Sequence, residues 1–412
     1  MTLPQDFIQY THDIFGDALW QRYLDAFSEE SPVSIRLNPW KKPAEATLTD
    51  GSTPVPWCRK GYYLNARPNF TLDPLLHAGC YYVQEASSMF LDEVLRQYVN
   101  DKVQALDLCA APGGKSTLIR AALPEGSLLY SNEPDHRRAN ILMENIQKQG
   151  HPDVIVTNNY PRDYKKSKLQ FDVILTDVPC SGEGMFRKKP ETVSEWSLAN
   201  VMKCAELQRS IVEDIWSCLK PGGILIYSTC TFNLHEDEEN VRWIMETLGA
   251  EILPVAINPE WNITGSLLKG WDKPVYRFIP GTTKGEGLFM AVLRKPGEWG
   301  SGVMNRSPKG LKILSDGCPK VLQKGKPGKE VFIPAHAESL LVTLPKDKYP
   351  MRELPLEDAQ RYLHHESIVL PADAPKGFVI VTYKGFPLGF VKNIGTRANN
   401  LYPQEWRIRN LS

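Results

Sequence analysis

Two cysteines stand where a chain can do chemistry. Cys180 lies in DVPCSGEG (Asp177–Gly184) and Cys230 in YSTCTF (Tyr227–Phe232), each just after a short apolar run. An ionised thiol is a nucleophile. A thiol is also a small apolar group, and free cysteine is among the residue types most often buried for packing alone. Packing does not call for two thiols at the ends of two strands. A single reaction that uses both does, if the two strands are neighbours and their carboxyl ends share one rim. Asp177, three residues before Cys180, then belongs to the same rim, where a carboxylate can hydrogen-bond the amino group or a ring nitrogen of a base.

A second motif, LDLCAAPGGKS (Leu106–Ser116), follows another apolar run and opens a helical pattern. In an open α/β sheet this is where ligands bind, beyond the carboxyl ends of the strands. Glycines let backbone N–H groups come close to the ligand, and a helix N-terminus favours negative charge. The spacing is neither GxGxxG nor GxxxxGK[ST], which disfavours a dinucleotide or a nucleoside triphosphate. Glu133 ends the next apolar run, about 20 residues on, where an acid can accept hydrogen bonds from both hydroxyls of a ribose. Its plain alternative role is capping the helix after Pro134. Loop and acid together suit an adenosine-bearing cofactor without a pyrophosphate, and S-adenosylmethionine fits that description.

The elements that must position these residues alternate from about 100 to 296. VQALDLC, SLLYSNEP, DVIVTN, FDVILTD, GILIYSTC and LFMAVLRK read as strands. GGKSTLIRAAL, DHRRANILMENIQKQ, Trp196–Leu219 and HEDEENVRWIMETLG read as helices, the third ended by Pro221-Gly222-Gly223 and the last opening with acids that suit a helix N-terminus. The alternation predicts an α/β fold, a doubly wound, Rossmann-like parallel sheet with helices on both faces. It divides the chain into an N-terminal α+β subdomain (1–98), a catalytic domain (99–296), a Gly/Pro/Lys-rich linker with the start of the C-terminal module (297–330) and a small β-rich module (331–412).

The 412 residues have a net charge of zero that hides an asymmetry. Residues 301–412 carry 17 Lys and Arg against 10 Asp and Glu, a net of +7, and residues 1–300 carry 31 against 38, a net of −7. A basic module on an acidic body suggests a polyanionic partner, although a solvated surface accounts for the charge as well. The start of the chain lacks the apolar stretch of a signal peptide, and no run of 18 apolar residues marks a membrane span. Eight cysteines without a CxxC pair or a Cys/His cluster predict reduced thiols and no metal site, in a cytoplasmic protein expected to be a monomer.

LDLCAAPGGKS, DVPCSGEG and YSTCTF, in this order and strand context, resemble the signature motifs of the Sun-type RNA cytosine-C5 methyltransferases. The nearest subgroup is the bacterial small-subunit rRNA methyltransferase F family. HAGCYYVQEASSM (His77–Met89) resembles the stretch before the catalytic domain of that family, with QEASS for the more usual QEPSS. GFPLGFVKN and NNLYPQEWRIR resemble its C-terminal module, related to the RNA-binding PUA domains. The resemblance covers nearly the whole chain from about residue 30. It implies a Rossmann-like methyltransferase flanked by RNA-binding domains, with S-adenosylmethionine as cofactor and RNA, most readily 16S rRNA, as substrate. It implies that Cys230 is the nucleophile, that Cys180 assists release, that Asp177 contacts base and cofactor, and that Lys115 lies near the target base. Cys109, Ala110, Ala111, Pro112, Gly113, Gly114, Lys115, Glu133 and Arg138 match its cofactor site. Where the family often carries an Asp after its third strand, near the adenine, this chain reads VTNNYPRD, with Asn158, Asn159 and Tyr160 at that place, where an Asn can still hydrogen-bond adenine.

Such an enzyme adds a thiolate to carbon 6 of cytosine, so that carbon 5 becomes nucleophilic enough to attack the methyl donor. The target base must leave its stack to reach the pocket. Phe386, Phe390, Tyr402 and Trp406 in the basic module are candidate stacking surfaces, each more often core than platform. Three other readings stay open at this level. One is a tRNA cytosine-C5 methyltransferase. Another is a DNA cytosine methyltransferase, in which Cys180 is the nucleophile and Cys230 has no role. The third is an RNA-binding assembly factor without turnover.

Overall fold

In a computed structural model of the chain, residues 3–42, 46–300, 304–306, 308–324 and 331–410 are described. The N-terminal region opens with the helix Gln5–Asp25, bent at Gly16, and continues into a four-stranded antiparallel sheet of β1 (Val33–Leu37), β2 (Thr53–Pro54), β3 (Gly61–Leu64) and β4 (Tyr81–Val83) in the order β2-β3-β1-β4. The expected α+β character holds.

The catalytic domain is built on β5 (Gln104–Asp107), β6 (Leu128–Asn132), β7 (Val154–Thr157), β8 (Phe171–Asp177), β9 (Leu219–Thr229), β10 (Glu251–Leu253), β11 (Tyr276–Phe278), β12 (Leu288–Arg294) and β13 (Ile313–Ser315). The sheet order is β10-β12-β9-β8-β5-β6-β7-β13, with β11 paired to β12. The five inner strands, β9 to β7, run parallel, and β10 to β13 pair antiparallel at the two sides. The chain steps from β5 outward through β6 to β7 and then returns to place β8 on the other side of β5. That reversal opens a crevice at the carboxyl ends of β5 and β8, the usual ligand site of an open α/β sheet. The inner strands are buried along almost all their length, as parallel strands covered on both faces must be. One face packs Leu118, Ile119, Leu142 and Val173, the other Ile174, Ile211, Ile215 and Leu225. Each such side chain contributes about 1.5–3 kcal/mol by leaving water.

Three local readings change. The third helix spans Leu198–Trp216, capped by Ser197, whose hydroxyl accepts from Asn200 N at 3.2 Å. Pro221-Gly222-Gly223 does not end it but lies inside β9, where the pairing with β8 shifts register and Gly222 takes φ +75°. Glu133 follows β6, which ends at Asn132. The segment 297–330 is more than a spacer, because β13 within it adds the strand beside β7.

After the hairpin β14 (Leu322–Lys324) and β15 (Val331–Ile333) comes a small sheet of β16 (Met351–Glu353), β17 (Gly377–Tyr383), β18 (Phe386–Asn393) and β19 (Ala398–Asn400). This β-rich module shares a core with the N-terminal sheet: Tyr362, Leu363, Val391 and Tyr402 pack with Ile35, Leu37, Leu75 and Tyr81. Phe390 and Tyr402 are buried and Phe386 and Trp406 pack against the same core, so Phe390 and Tyr402 are not stacking platforms. No described helix is long and apolar enough to cross a membrane.

Candidate active site

Asp177 is the last residue of β8, and Cys230 follows the last residue of β9. Because β8 and β9 pair in parallel with Asp177 opposite Ser228, the two cysteine loops leave the sheet side by side. The Sγ atoms of Cys180 and Cys230 stand 3.1 Å apart, both half-buried. Their hydrogen bond, first, and burial, second, push the Cys180 thiol well above its ordinary range. Either thiol can be the donor in that contact, and Cys180 is the one held in its protonated form. Hydroxyls flank the other thiol: Thr229 and Thr231 both donate to Asp237 Oδ1, at 2.7 and 2.9 Å, and Asp237 pairs with the buried Arg277 at 3.0 Å.

Asp177 joins this pair to the cofactor loop. Its Oδ1 accepts from Ser228 Oγ at 2.7 Å and its Oδ2 from Lys115 Nζ at 2.8 Å. Burial works against the charge on Lys115, but the Asp177 carboxylate and then Cys230 outweigh it and raise its pKa. Lys115 is thus a held ammonium between the acid and the nucleophile candidate. Cys109 differs from the other two thiols, because burial pushes it up with Asp107, Asp177 and Glu133 adding to the effect. It stays a thiol and lines the crevice.

The cofactor motif turns through a cis Ala111–Pro112 bond into Gly113 at φ +116°, where an added Cβ would lie 3.3 Å from both Asn145 Cβ and Leu142 Cδ1. Arg138 Nη2 donates to Ala111 O at 3.1 Å and lies 3.5 Å from Glu133 Oε2, tying the loop to the acid. Glu133 is 2% exposed, and its Oε1 accepts from Asp135 N at 3.0 Å. The structure thus gathers Cys109–Lys115, Glu133, Arg138, Asp177, Cys180 and Cys230 about one crevice. It leaves out Asn158. Both amide hydrogens of Asn158 are spent on Glu133 O (2.8 Å) and Pro134 O (2.9 Å), while its oxygen accepts from Lys312 Nζ at 2.9 Å. Asn158 braces the crevice wall instead of reaching into it.

Asp107, inside the Leu106–Ser116 motif, is a site residue that the motif's glycine spacing does not mark. It is fully buried at the end of β5; Oδ2 accepts from Ser116 Oγ at 2.6 Å, and Oδ1 has no partner. Burial pushes its pKa up to about 7. Its signal in the sequence is an acid at the last position of the strand that feeds the glycine loop.

Residues 94–294 match the model described as 16S rRNA methyltransferase RsmB/F. Residues 3–86 match the N-terminal domain of 16S rRNA methyltransferase RsmF, and 351–408 the methyltransferase RsmF PUA domain. Ribosomal RNA small subunit methyltransferase F of Aliivibrio fischeri is 30% identical, covering 98% of this chain and 97% of its own. The enzyme of the same name from Cronobacter sakazakii is also 30% identical, over 98% and 96%. The chain belongs to the 16S rRNA methyltransferase RsmB/F family. It is an S-adenosylmethionine-dependent methyltransferase with a Rossmann-like core and a PUA domain. Among solved structures, a methyltransferase homolog from Pyrococcus horikoshii has a TM-score of 0.61 at 25% identity, over 71% of this chain and 95% of that one. NSun6 from Pyrococcus horikoshii, solved with SFG, has a TM-score of 0.60 at 21% identity over 72% and 99%, and shows the same fold.

The residues of this RsmB/F chain fit its cofactor. S-adenosylmethionine carries cationic groups and two ribose hydroxyls, and the crevice offers the unpartnered Asp107 Oδ1 to the former and the buried Glu133 carboxylate to the latter. Glu133→Ala is expected to remove one or two charge-assisted hydrogen bonds, about 1.5–3 kcal/mol each. Calorimetric titration should show S-adenosylmethionine binding at least tenfold weaker, and unchanged affinity would remove Glu133 from the site.

Proposed function

We propose that this enzyme methylates carbon 5 of a cytosine in small-subunit (16S) rRNA, with Cys230 as nucleophile and Cys180 as the thiol that assists release. The observation that carries the reading is the 3.1 Å approach of the two thiols on paired strand ends, beside the Lys115–Asp177 pair. Cys230, facing a protonated Cys180 and a held ammonium, adds as a thiolate to carbon 6 of the extruded base. Asp177 and Lys115 orient the base, the acid toward its amino group. When bound, S-adenosylmethionine supplies the electrophilic methyl group to carbon 5. Cys180 then assists release: as the carbon 6–sulfur bond breaks its thiol proton passes to the departing Cys230 sulfur, and the Cys180 thiolate so formed accepts the proton from carbon 5, which frees Cys230. Glu133 and Arg138 hold the ribose end of the cofactor, and the loop Cys109–Lys115 its methionine end. The enzyme works as a monomer in the cytoplasm, where its rRNA is found.

The test is direct. The protein is incubated with methyl-labelled S-adenosylmethionine and 16S rRNA or small ribosomal subunits, and the RNA is digested to nucleosides. Label is expected in 5-methylcytidine. Label in another nucleoside, or only when tRNA replaces rRNA, would overturn the reading.

RNA is gripped through the basic C-terminal module, because Lys and Arg contacts to phosphate carry most nucleic-acid affinity. Truncation is a poor test, since the module shares a core with the N-terminal sheet. Lys376, Lys384, Lys392, Arg397, Arg407 and Arg409 are exposed and can be changed to Gln instead. Each phosphate contact removed should flatten the slope of log affinity against log salt by about 0.7–0.9, with cofactor binding unchanged. Filter binding at several salt concentrations reads the slope, and equal slopes would show that this charge only solvates the protein.

A further inference from the structure

Both thiols sit on loops beyond their strand ends, yet they are held at hydrogen-bonding distance. The groups that hold them are two buried carboxylates to which the chemistry gives no role. Glu183 is 1% exposed and lies three residues after Cys180. Its Oε2 accepts from Phe232 N at 2.6 Å and Asn233 N at 3.1 Å, and its Oε1 from Asn233 Nδ2 at 3.0 Å and Trp196 Nε1 at 2.9 Å. Phe232 and Asn233 follow Cys230 closely, so a side chain of the Cys180 loop grips the Cys230 loop. Glu236 makes the reverse connection. Fully buried and beyond Cys230, it accepts from Ser181 N at 3.1 Å, next to Cys180, and from Ser181 Oγ. Asn233 Nδ2 at 2.9 Å and Gln208 Nε2 at 2.6 Å complete its set. The main chains meet as well: Gly184 N donates to Cys230 O at 2.8 Å, and a Cβ on Gly184 would lie 3.0 Å from that oxygen.

Buried carboxylates are costly to desolvate, and apolar packing would stabilise the loops as well or better. What the carboxylates add is direction, because charge-assisted hydrogen bonds are short and geometrically strict. We propose that Glu183 and Glu236 are positioning residues: by crossing from each cysteine loop to the other, they fix the separation at which the adduct formed by Cys230 can be released with the help of Cys180. The proposal rests on the cytosine-C5 reading of the site.

Glu183→Gln keeps the size of the side chain but puts an amide donor among four donors, and Glu236→Gln does the same at the other crossing. If the carboxylates set the thiol geometry, release suffers more than binding. Each variant should show kcat reduced about 10–100-fold, the scale of a misplacement near 1 Å, with KM for RNA and the affinity for S-adenosylmethionine within about twofold of wild type. Each should also accumulate an RNA–protein complex stable to denaturing electrophoresis, and Glu183→Asp, which restores the carboxylate, should lower the amount of that complex. Wild-type kcat without complex in both variants would overturn the proposal. So would activity, cofactor affinity and melting temperature falling together without complex, since that is the mark of a merely structural role. Cys180→Ala, run in parallel, separates the two levels: if it too forms no complex, the cytosine-C5 reading fails before this one is reached.

Discussion

Cys230→Ala is expected to lose methyl transfer altogether while binding S-adenosylmethionine as tightly as wild type. Deleting a nucleophile from an enzyme whose groups act as a unit costs about 10⁴-fold or more in rate. The groups assigned to the cofactor stand on the β5 and β6 side of the crevice, at Asp107, Cys109–Lys115, Glu133 and Arg138, whereas Cys230 stands at the end of β9 and meets Cys180. Losing its Sγ removes the group that attacks the base and leaves the cofactor contacts in place. Calorimetry gives the affinity and labelled S-adenosylmethionine the transfer rate. Full activity would mean that Cys230 is one of the many small buried thiols and that the nucleophile lies elsewhere.

Cys180→Ala should fail at the opposite end of the cycle. Cys230 remains, so the bond to carbon 6 forms. The thiol that helps the adduct collapse is gone, and the enzyme should stay attached to its RNA. The expected sign is a band of protein plus RNA that survives denaturation, with multiple turnover lost. Cys180 suits this work because its hydrogen bond to Cys230 and its burial keep it protonated. Normal turnover without such a band would return Cys180 to the core.

Much of this site could be read from the sequence. The alternation of strands and helices makes β8 and β9 neighbours, and a parallel pair brings its two carboxyl ends to one rim, so Asp177, Cys180 and Cys230 could be placed together from spacing alone. The parts that escaped depend on partners far away in the chain. Asn158 stands where an adenine contact was expected, but its side chain is engaged by Lys312 and two carbonyls of the Glu133 turn. Residues 313–315 look like linker because a single edge strand needs only three residues, and its partner β7 lies far back in the chain, Ile313 pairing with Thr157. Pro221-Gly222-Gly223 carries a strong local turn signal, and the pairing of β9 with β8 absorbs it as an irregularity. Phe390 and Tyr402 cannot be told from stacking platforms until the fold shows both buried, Tyr402 in the core shared with the N-terminal sheet and Phe390 with its ring against Tyr349. Glu183 and Glu236 are missed for a related reason. Glu183 reads as a solvated charge in a turn and Glu236 as one of the acids opening the next helix, which begins only at Glu238, and only the fold shows each encircled by hydrogen-bond donors.

The division of labour between the two thiols is tested most directly by incubating Cys180→Ala and Cys230→Ala separately with rRNA and S-adenosylmethionine, separating the products by denaturing electrophoresis, and mapping any nucleotide-bearing peptide by mass spectrometry. The expected result is a covalent complex from Cys180→Ala alone, with the nucleotide on the peptide that contains Cys230. A complex from Cys230→Ala, with the nucleotide on Cys180, would contradict the assignment and make Cys180 the nucleophile.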